Sequence, residues 1–450
     1  MAEFYKGEPI NGEWAGKDYI SVEQVEREDL DIVFENTDAA YRLFKSGVKL
    51  DVNSGKISAN VFLEDSTRTR LSFDTAFQGT GGRVLTIDNA AYSSVSKGEN
   101  LVHTARTIER YTRGGLFVIR NKIVGSAALA ASKLDIPVIN AGDGVGEHPT
   151  QAVLDVYSFL RDFEDDISDK VITIVGDLKY GRTTHSLLML LCKYKPKKVN
   201  LVAPPDFQMP TEYLEYARSK GLNINITSDL ESVLPETDGL YMVRLQRERI
   251  EKEKLSLKEA ILAKTERIKS AGTADQQEYL DNEMYKNLDD LFKALEKGSK
   301  KDKSISRVAL YSLLKALPDV KILGKTKQFD DNLYVLDERK LGLMKQSATV
   351  KHPMPVGGVI TEEAEEDPRV TMLDQVEDGA MVRAALTTLI TGDSLVDYEQ
   401  KLIDKTKKYN ELKKAIKLAE EKDTLQENGV LIKMIAELMM EDFEPYEQAA

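Results

Sequence analysis

Apolar and polar positions switch between helical and strand-like periods over residues 18–160. Ser21 opens a helical pattern that runs through Leu43, with Gln24 completing a capping box. Ile57–Leu63 reads as a short apolar strand, followed by the polar turn Glu64-Asp65-Ser66. Thr67–Gln78 then sets Phe73, Ala76 and Phe77 on one helical face. Gly79, Gly81 and Gly82 end that helix. Further strands are expected at Val84–Ile87, Leu116–Ile119 and Pro137–Asn140.

A second series starts near Lys170, with a strand at Val171–Val175, a loop at Gly176–Arg182 and a helix at Thr183–Tyr194. Val199–Ala203 and Asp238–Val243 are its next strands. Strands alternating with helices imply parallel sheets, and two series imply two domains with a cleft between them. The expected fold is α/β, with two Rossmann-like domains, a helical insertion and a C-terminal helical extension. The first domain takes residues 1–155, with a helix near 378–393 packing back onto it. The second takes 156–377, interrupted at about 251–331 by a stretch rich in Lys, Glu and Leu with a polar break at Gly298–Ser304. Residues 394–450 form the extension, where Leu395, Leu402, Tyr409 and Ile416 recur every seven residues. A second apolar stripe after Asn428-Gly429 makes this a helical hairpin, suited to packing or oligomer contact.

Composition narrows the function. Lys and Arg number 62 against 75 Asp and Glu, a net charge of −13, which disfavours non-specific nucleic-acid binding. One cysteine, Cys192, lies in an apolar run and reads as a buried thiol in a reducing compartment. The first residues lack a signal-peptide core, and no run approaches the roughly 18 apolar residues of a membrane span. A cytoplasmic protein is expected.

Four clusters carry chemistry. Ser66-Thr67-Arg68-Thr69-Arg70 stands between a strand and a helix, where unpaired amides and hydroxyl and guanidinium donors suit a phosphate. The plain alternative is a helix cap with surface arginines. Gly142–Gln151 offers a tight glycine loop, with His148 able to bond a carbonyl oxygen and Gln151 an amide. Its glycine spacing does not fit a dinucleotide fingerprint, and a lone loop histidine is often structural. Arg182 closes the loop after Val171–Val175, and Arg244 and Gln246 point the same way from the next strand end. Two arginines beside an amide suit a small dicarboxylate, although the segment also reads as a solvated charge run. His352-Pro353-Met354-Pro355 is a stiff loop whose carbonyls can accept from an amide N–H2.

Taken together, these motifs resemble the aspartate and ornithine carbamoyltransferase family, and its aspartate branch in particular. The likeness runs from about Lys17 to Arg249 and from about Tyr334 to Asp393, carried by STRTRLSF, SSVSKGE, HPTQ, GDLKYGRTTHS and RLQRER in order. It implies transfer of a carbamoyl group from carbamoyl phosphate to L-aspartate, the committed step of pyrimidine synthesis, with no metal and no organic cofactor. Ser66, Thr67, Arg68 and Thr69 would hold the phosphate. Arg120, Thr69 and His148 would contact the carbonyl oxygen. Gln151 and the carbonyls around Pro353 and Met354 would hold the carbamoyl nitrogen. Arg182, Arg244 and Gln246 would bind aspartate, and Glu64 and Arg249 would hold the domains closed. Ser93 and Lys97 would reach into a neighbouring subunit's site, Lys97 touching both substrates, which implies a homotrimer with shared sites.

Three features depart from the family pattern: Val356-Gly357-Gly358 where an arginine usually follows the proline loop, the insertion, and the tail. Neither addition carries a four-cysteine zinc pattern. Two other readings stay open: transfer to a different amino acceptor, and an inactive relative serving regulation or assembly.

Overall fold

The structure, a computed structural model, describes residues 7–88, 98–112, 114–249 and 331–421. Ser93, Lys97, all but the last residue of the 251–331 insertion and the second arm of the expected tail hairpin lie outside the described residues.

The first unit opens with a 3-10 turn at Val22–Gln24, capped by Ser21 and Gln24 as the sequence predicts. The long helix then begins anew at Arg27, so Ser21 caps a separate turn and not the helix itself. The order is α1 (Arg27–Ser46), β1 (Ile57–Phe62), α2 (Arg68–Gly79), β2 (Arg83–Ile87), α3 (Leu101–Glu109), β3 (Leu116–Asn121), α4 (Ser126–Ala131), β4 (Val138–Asp143) and α5 (Pro149–Asp162). The strands form a parallel sheet in the order β2-β1-β3-β4.

The second unit contains β5 (Val171–Val175), α6 (Arg182–Tyr194), β6 (Lys198–Val202), α7 (Thr211–Ser219), β7 (Ile224–Thr227) and β8 (Gly239–Met242). After residue 330 come α8 (Glu338–Leu341), β9 (Thr349–Lys351) and α9 (Glu362–Glu365). All five strands are parallel, in the order β7-β6-β5-β8-β9. Strands β8 and β9 are neighbours although residues 250–330 separate them in the chain. Every residue of β5 is buried, which is why it reads as an apolar run broken only by Thr173, whose hydroxyl is paired with that of Thr237. Gly176 ends β5 at φ +117°, where a Cβ would stand 1.9 Å from the Val243 carbonyl, so only glycine lets the β5 and β8 ends approach.

Helix α10 (Met372–Ile390) returns to the first unit and packs against α1, α2 and α5. Helix α11 (Leu395–Glu421) continues along α1. Its start is held by Asn36, whose side-chain oxygen accepts from the Leu395 amide, and by a two-bond Arg42–Glu399 pair at 2.9 and 2.8 Å. Residues of α5, α6, β4, β5, β8 and α10 share one apolar core that joins the two sheets from below.

Candidate active site

The strand ends of both sheets open on one cleft of about 430 Å3. It is lined by Glu64, Ser66, Thr67, Arg68, Thr69, Arg120, His148, Gln151, Arg182, Arg244, Gln246, Arg249, Pro353 and Met354. Fourteen of the sixteen residues given roles by the family resemblance therefore meet in one place, the other two, Ser93 and Lys97, lying outside the described residues.

One wall is the start of α2. Thr67 caps that helix without a side-chain hydrogen bond, so its positive end is not covered from within. Of the two arginines expected to serve a phosphate, only Arg68 lines the cleft; Arg70 instead pairs with Asp88 at the end of β2. Burial lowers the Arg68 pKa below its usual value.

Arg120 leaves the end of β3. Burial, then the neighbouring Arg182, lowers its pKa to about 9, while Glu64 opposes the shift. Glu64 is the counter-charge of both arginines, with Oε2 3.3 Å from Arg120 Nε and 2.7 Å from Arg182 Nη1. It thereby ties the β1 end of one sheet to the first residue of α6 in the other unit. Arg182 also donates to the Gly144 carbonyl at 2.9 Å. Gly142, at φ +127°, makes room for that guanidinium, because a Cβ there would lie 3.0 Å from its Cζ.

His148 precedes Pro149 at the start of α5. It is buried, and burial together with Arg120, Arg182 and Arg383 holds its pKa well below the usual histidine range. Its Nδ1 has no hydrogen-bond partner, leaving a neutral imidazole with a buried nitrogen unused. His352 is neutral for similar reasons, its pKa lowered to about 3 by burial and then by Arg68. Its Nδ1 accepts from the Met354 amide at 2.7 Å, which, with Met354 at φ +55°, shapes the proline loop. His185, by contrast, lies off the cleft, stacked on Tyr213 with ring centroids 4.1 Å apart.

The remaining wall is more open. Arg244 is held by Glu248 four residues on, at 3.2 and 2.6 Å, and this pairing raises its pKa. Arg249 Nε donates to Gln246 Oε1 at 2.7 Å. Where the family pattern has an arginine, Val356 packs against the apolar cluster of the second sheet. Gly357 follows at φ +57°, and a Cβ there would reach 2.8 Å from Arg244 Cδ, so the departure gives the Arg244 stem its space.

Sequence reasoning missed the two polar residues of α10 that line the cleft, Gln375 and Arg383. Arg383 lies over the Phe73 ring at 5.1 Å, donates to the Gly379 carbonyl, and keeps Nε and Nη2 unpaired. Burial lowers its pKa to about 10. A single arginine inside the run Met381-Val-Arg-Ala-Ala-Leu386 was the signal, since a buried unpaired charge is costly without a role.

A cleft between two parallel sheets, with anion donors on one wall and arginine and amide groups on the other, is the site of a group-transfer enzyme. The chain belongs to the aspartate/ornithine carbamoyltransferase family. Residues 17–161 match that family's carbamoyl-P binding domain, and residues 168–271 its Asp/Orn binding domain. The aspartate carbamoyltransferase catalytic subunit of Thermococcus onnurineus is 45% identical over 247 residues, 55% of this chain and 78% of the relative. That of Picrophilus torridus is 32% identical over 374 residues, 83% of this chain and 98% of the relative. The Trypanosoma cruzi aspartate transcarbamoylase, solved with carbamoyl aspartate and phosphate, superposes with a TM-score of 0.63 at 27% identity, covering 85% of this chain and 98% of that one.

Proposed function

We propose that this chain is an aspartate carbamoyltransferase, converting carbamoyl phosphate and L-aspartate to N-carbamoyl-L-aspartate and phosphate, the committed step of pyrimidine synthesis. The observation that carries this reading is the convergence of the Ser66–Thr69 turn with Arg182, Arg244 and Gln246 in one cleft. The turn holds charge and hydroxyl donors for an acyl phosphate, and the two arginines with the amide suit a diacid beside it.

In this reading Ser66, Thr67, Arg68 and Thr69 bind the phosphate at the open end of α2. Arg120, Thr69 and neutral His148 donate to the carbamoyl oxygen. Gln151 and the Pro353 and Met354 carbonyls accept from the carbamoyl N–H2. The aspartate amine attacks the carbamoyl carbon, a C–N bond forms, and charge gathers on the carbonyl oxygen. Donors fixed in advance stabilise that oxyanion without reorganising. The bond to phosphate oxygen then breaks, and phosphate takes the amine proton as it leaves. Arg182, Arg244 and Gln246 hold the two carboxylates of aspartate. Glu64 and Arg249 serve closure, Glu64 through Arg120 and Arg182.

The same reading divides the chain into a carbamoyl-phosphate domain at 1–155 with 378–393, an aspartate domain at 156–377, and the extension at 394–450. It makes the protein a cytoplasmic homotrimer in which Ser93 and Lys97 enter the neighbouring site. Purified chain given both substrates should release phosphate and form N-carbamoyl-L-aspartate; turnover of ornithine but not aspartate would sink the specificity. Mixing inactive Lys97→Ala chains with inactive Arg68→Ala chains should restore part of the activity, and no recovery after subunit exchange would exclude shared sites.

A further inference from the structure

Beneath the cleft floor lies a buried carboxylate that does not itself line the cleft. Asp155, on α5, accepts three hydrogen bonds: Gln151 Nε2 at 2.9 Å, Gln375 Nε2 at 2.6 Å and the Tyr241 hydroxyl at 2.7 Å. Both glutamines line the cleft above it. An ionised carboxylate only accepts, so each glutamine must turn its nitrogen down and its oxygen away. For Gln375 the upturned oxygen accepts the His352 amide at 2.9 Å, and His352 in turn accepts the Met354 amide. Thus the Gln151 oxygen and the carbonyls of the Pro353-Met354 loop all take their direction from one buried acid.

We infer that Asp155 is the positioning residue that makes the carbamoyl pocket an all-acceptor pocket, and so selects an acyl phosphate bearing N–H2 over one bearing methyl. This rests on the carbamoyl-transfer reading above. A site built to hydrogen-bond a substrate N–H rejects the analogue lacking it, because its polar groups are then left unpaired. Reversing the Gln151 amide would point a donor at a donor and remove that preference.

The charge state of Asp155 decides the sense. The groups facing it are Gln151 from its own helix, Gln375 and Arg383 from α10, and Tyr241 from β8. Burial raises its pKa to about 6, against the three hydrogen bonds and Arg383, which lower it. Above that pH the carboxylate accepts throughout. Below it, one oxygen carries a proton, and a donor loses its acceptor: the glutamines if the proton sits on Oδ1, which both of them share, or the Tyr241 hydroxyl if it sits on Oδ2.

The test compares carbamoyl phosphate with acetyl phosphate, its methyl analogue, by their binding constants to the full-length chain between pH 5 and 8.5. The parent should prefer carbamoyl phosphate, and the preference should fall as pH drops through about 6. Asp155→Asn, which always presents one donor and one acceptor, should lose about tenfold of the preference at pH 8, the worth of one hydrogen bond, and show no pH inflection. Tyr241→Phe keeps the carboxylate but removes a donor that favours its charge, so the inflection should move to higher pH with the preference intact at pH 8.5. Equal weakening of both phosphates by Asp155→Asn would overturn the inference, as would an inflection unmoved by Tyr241→Phe should the Asn variant not fold. A parent chain that binds neither phosphate would instead overturn the functional reading itself.

Discussion

The two walls of the cleft are built to different standards of rigidity. The wall formed by α2, β3 and the start of α5 buries Thr69 and His148 and half-buries Arg120, which Glu64 holds, while Thr67 and Arg68 at its rim stay exposed. Arg182, beside it, has a side chain only 10% exposed and is held by Glu64 and a carbonyl. On the opposite wall the Arg244 side chain is 41% exposed and spends both its terminal nitrogens on Glu248. The carbamoyl end of an acyl phosphate therefore meets a prepared site, whereas a second carboxylate must first compete for its arginine. That asymmetry favours an order in which the acyl phosphate enters first and the diacid completes the site, with closure adding proximity.

Breaking the prepared wall should cost most. Arg120→Ala is expected to lower kcat about 10²–10³-fold, the loss typical of an oxyanion donor, with phosphate release as the readout. Arg244→Ala should raise the KM for aspartate by about 10- to 100-fold, the range of one charge-assisted bond, while carbamoyl phosphate binding by calorimetry stays within about twofold. If both variants instead lost phosphate binding, the two walls would not be separate. The smallest effect sharpens the contrast: Glu248→Gln frees Arg244 from an exposed pair, so the KM for aspartate should fall by about two- to fivefold. A rise would mean that Glu248 aims Arg244 rather than occupying it.

Much of this site is legible in the chain because parallel strands buried on both faces leave plain apolar runs, and the polar turns after them hold the chemistry. Val171–Val175 matches its strand residue for residue, and Thr67–Gln78 misses its helix by one residue at each end. The edge strands of the second sheet read less well. Strand β7 is only partly buried and β9 has three residues, so neither gives a period long enough to recognise. The support beneath the cleft was hidden for another reason. Helix α10 is buried nearly all round, so no polar stripe singles out Gln375 or Arg383. Asp155 carries no motif at all; its meaning arises only when α5, α10 and β8 are packed together.

The return of α10 to the first unit has a consequence for how the protein is made. Met381 and Ala384 fill the same apolar cluster as Ala39, Ala40, Leu43 and Ala76, from α1 and α2. A ribosome emits α1 and α2 roughly three hundred residues before α10, so these helices wait with an unfilled seam while the whole second unit is synthesised. The first sheet and its helices are thus an unfinished body on their own, and the nascent chain can close its first lobe only when α10 has left the exit tunnel.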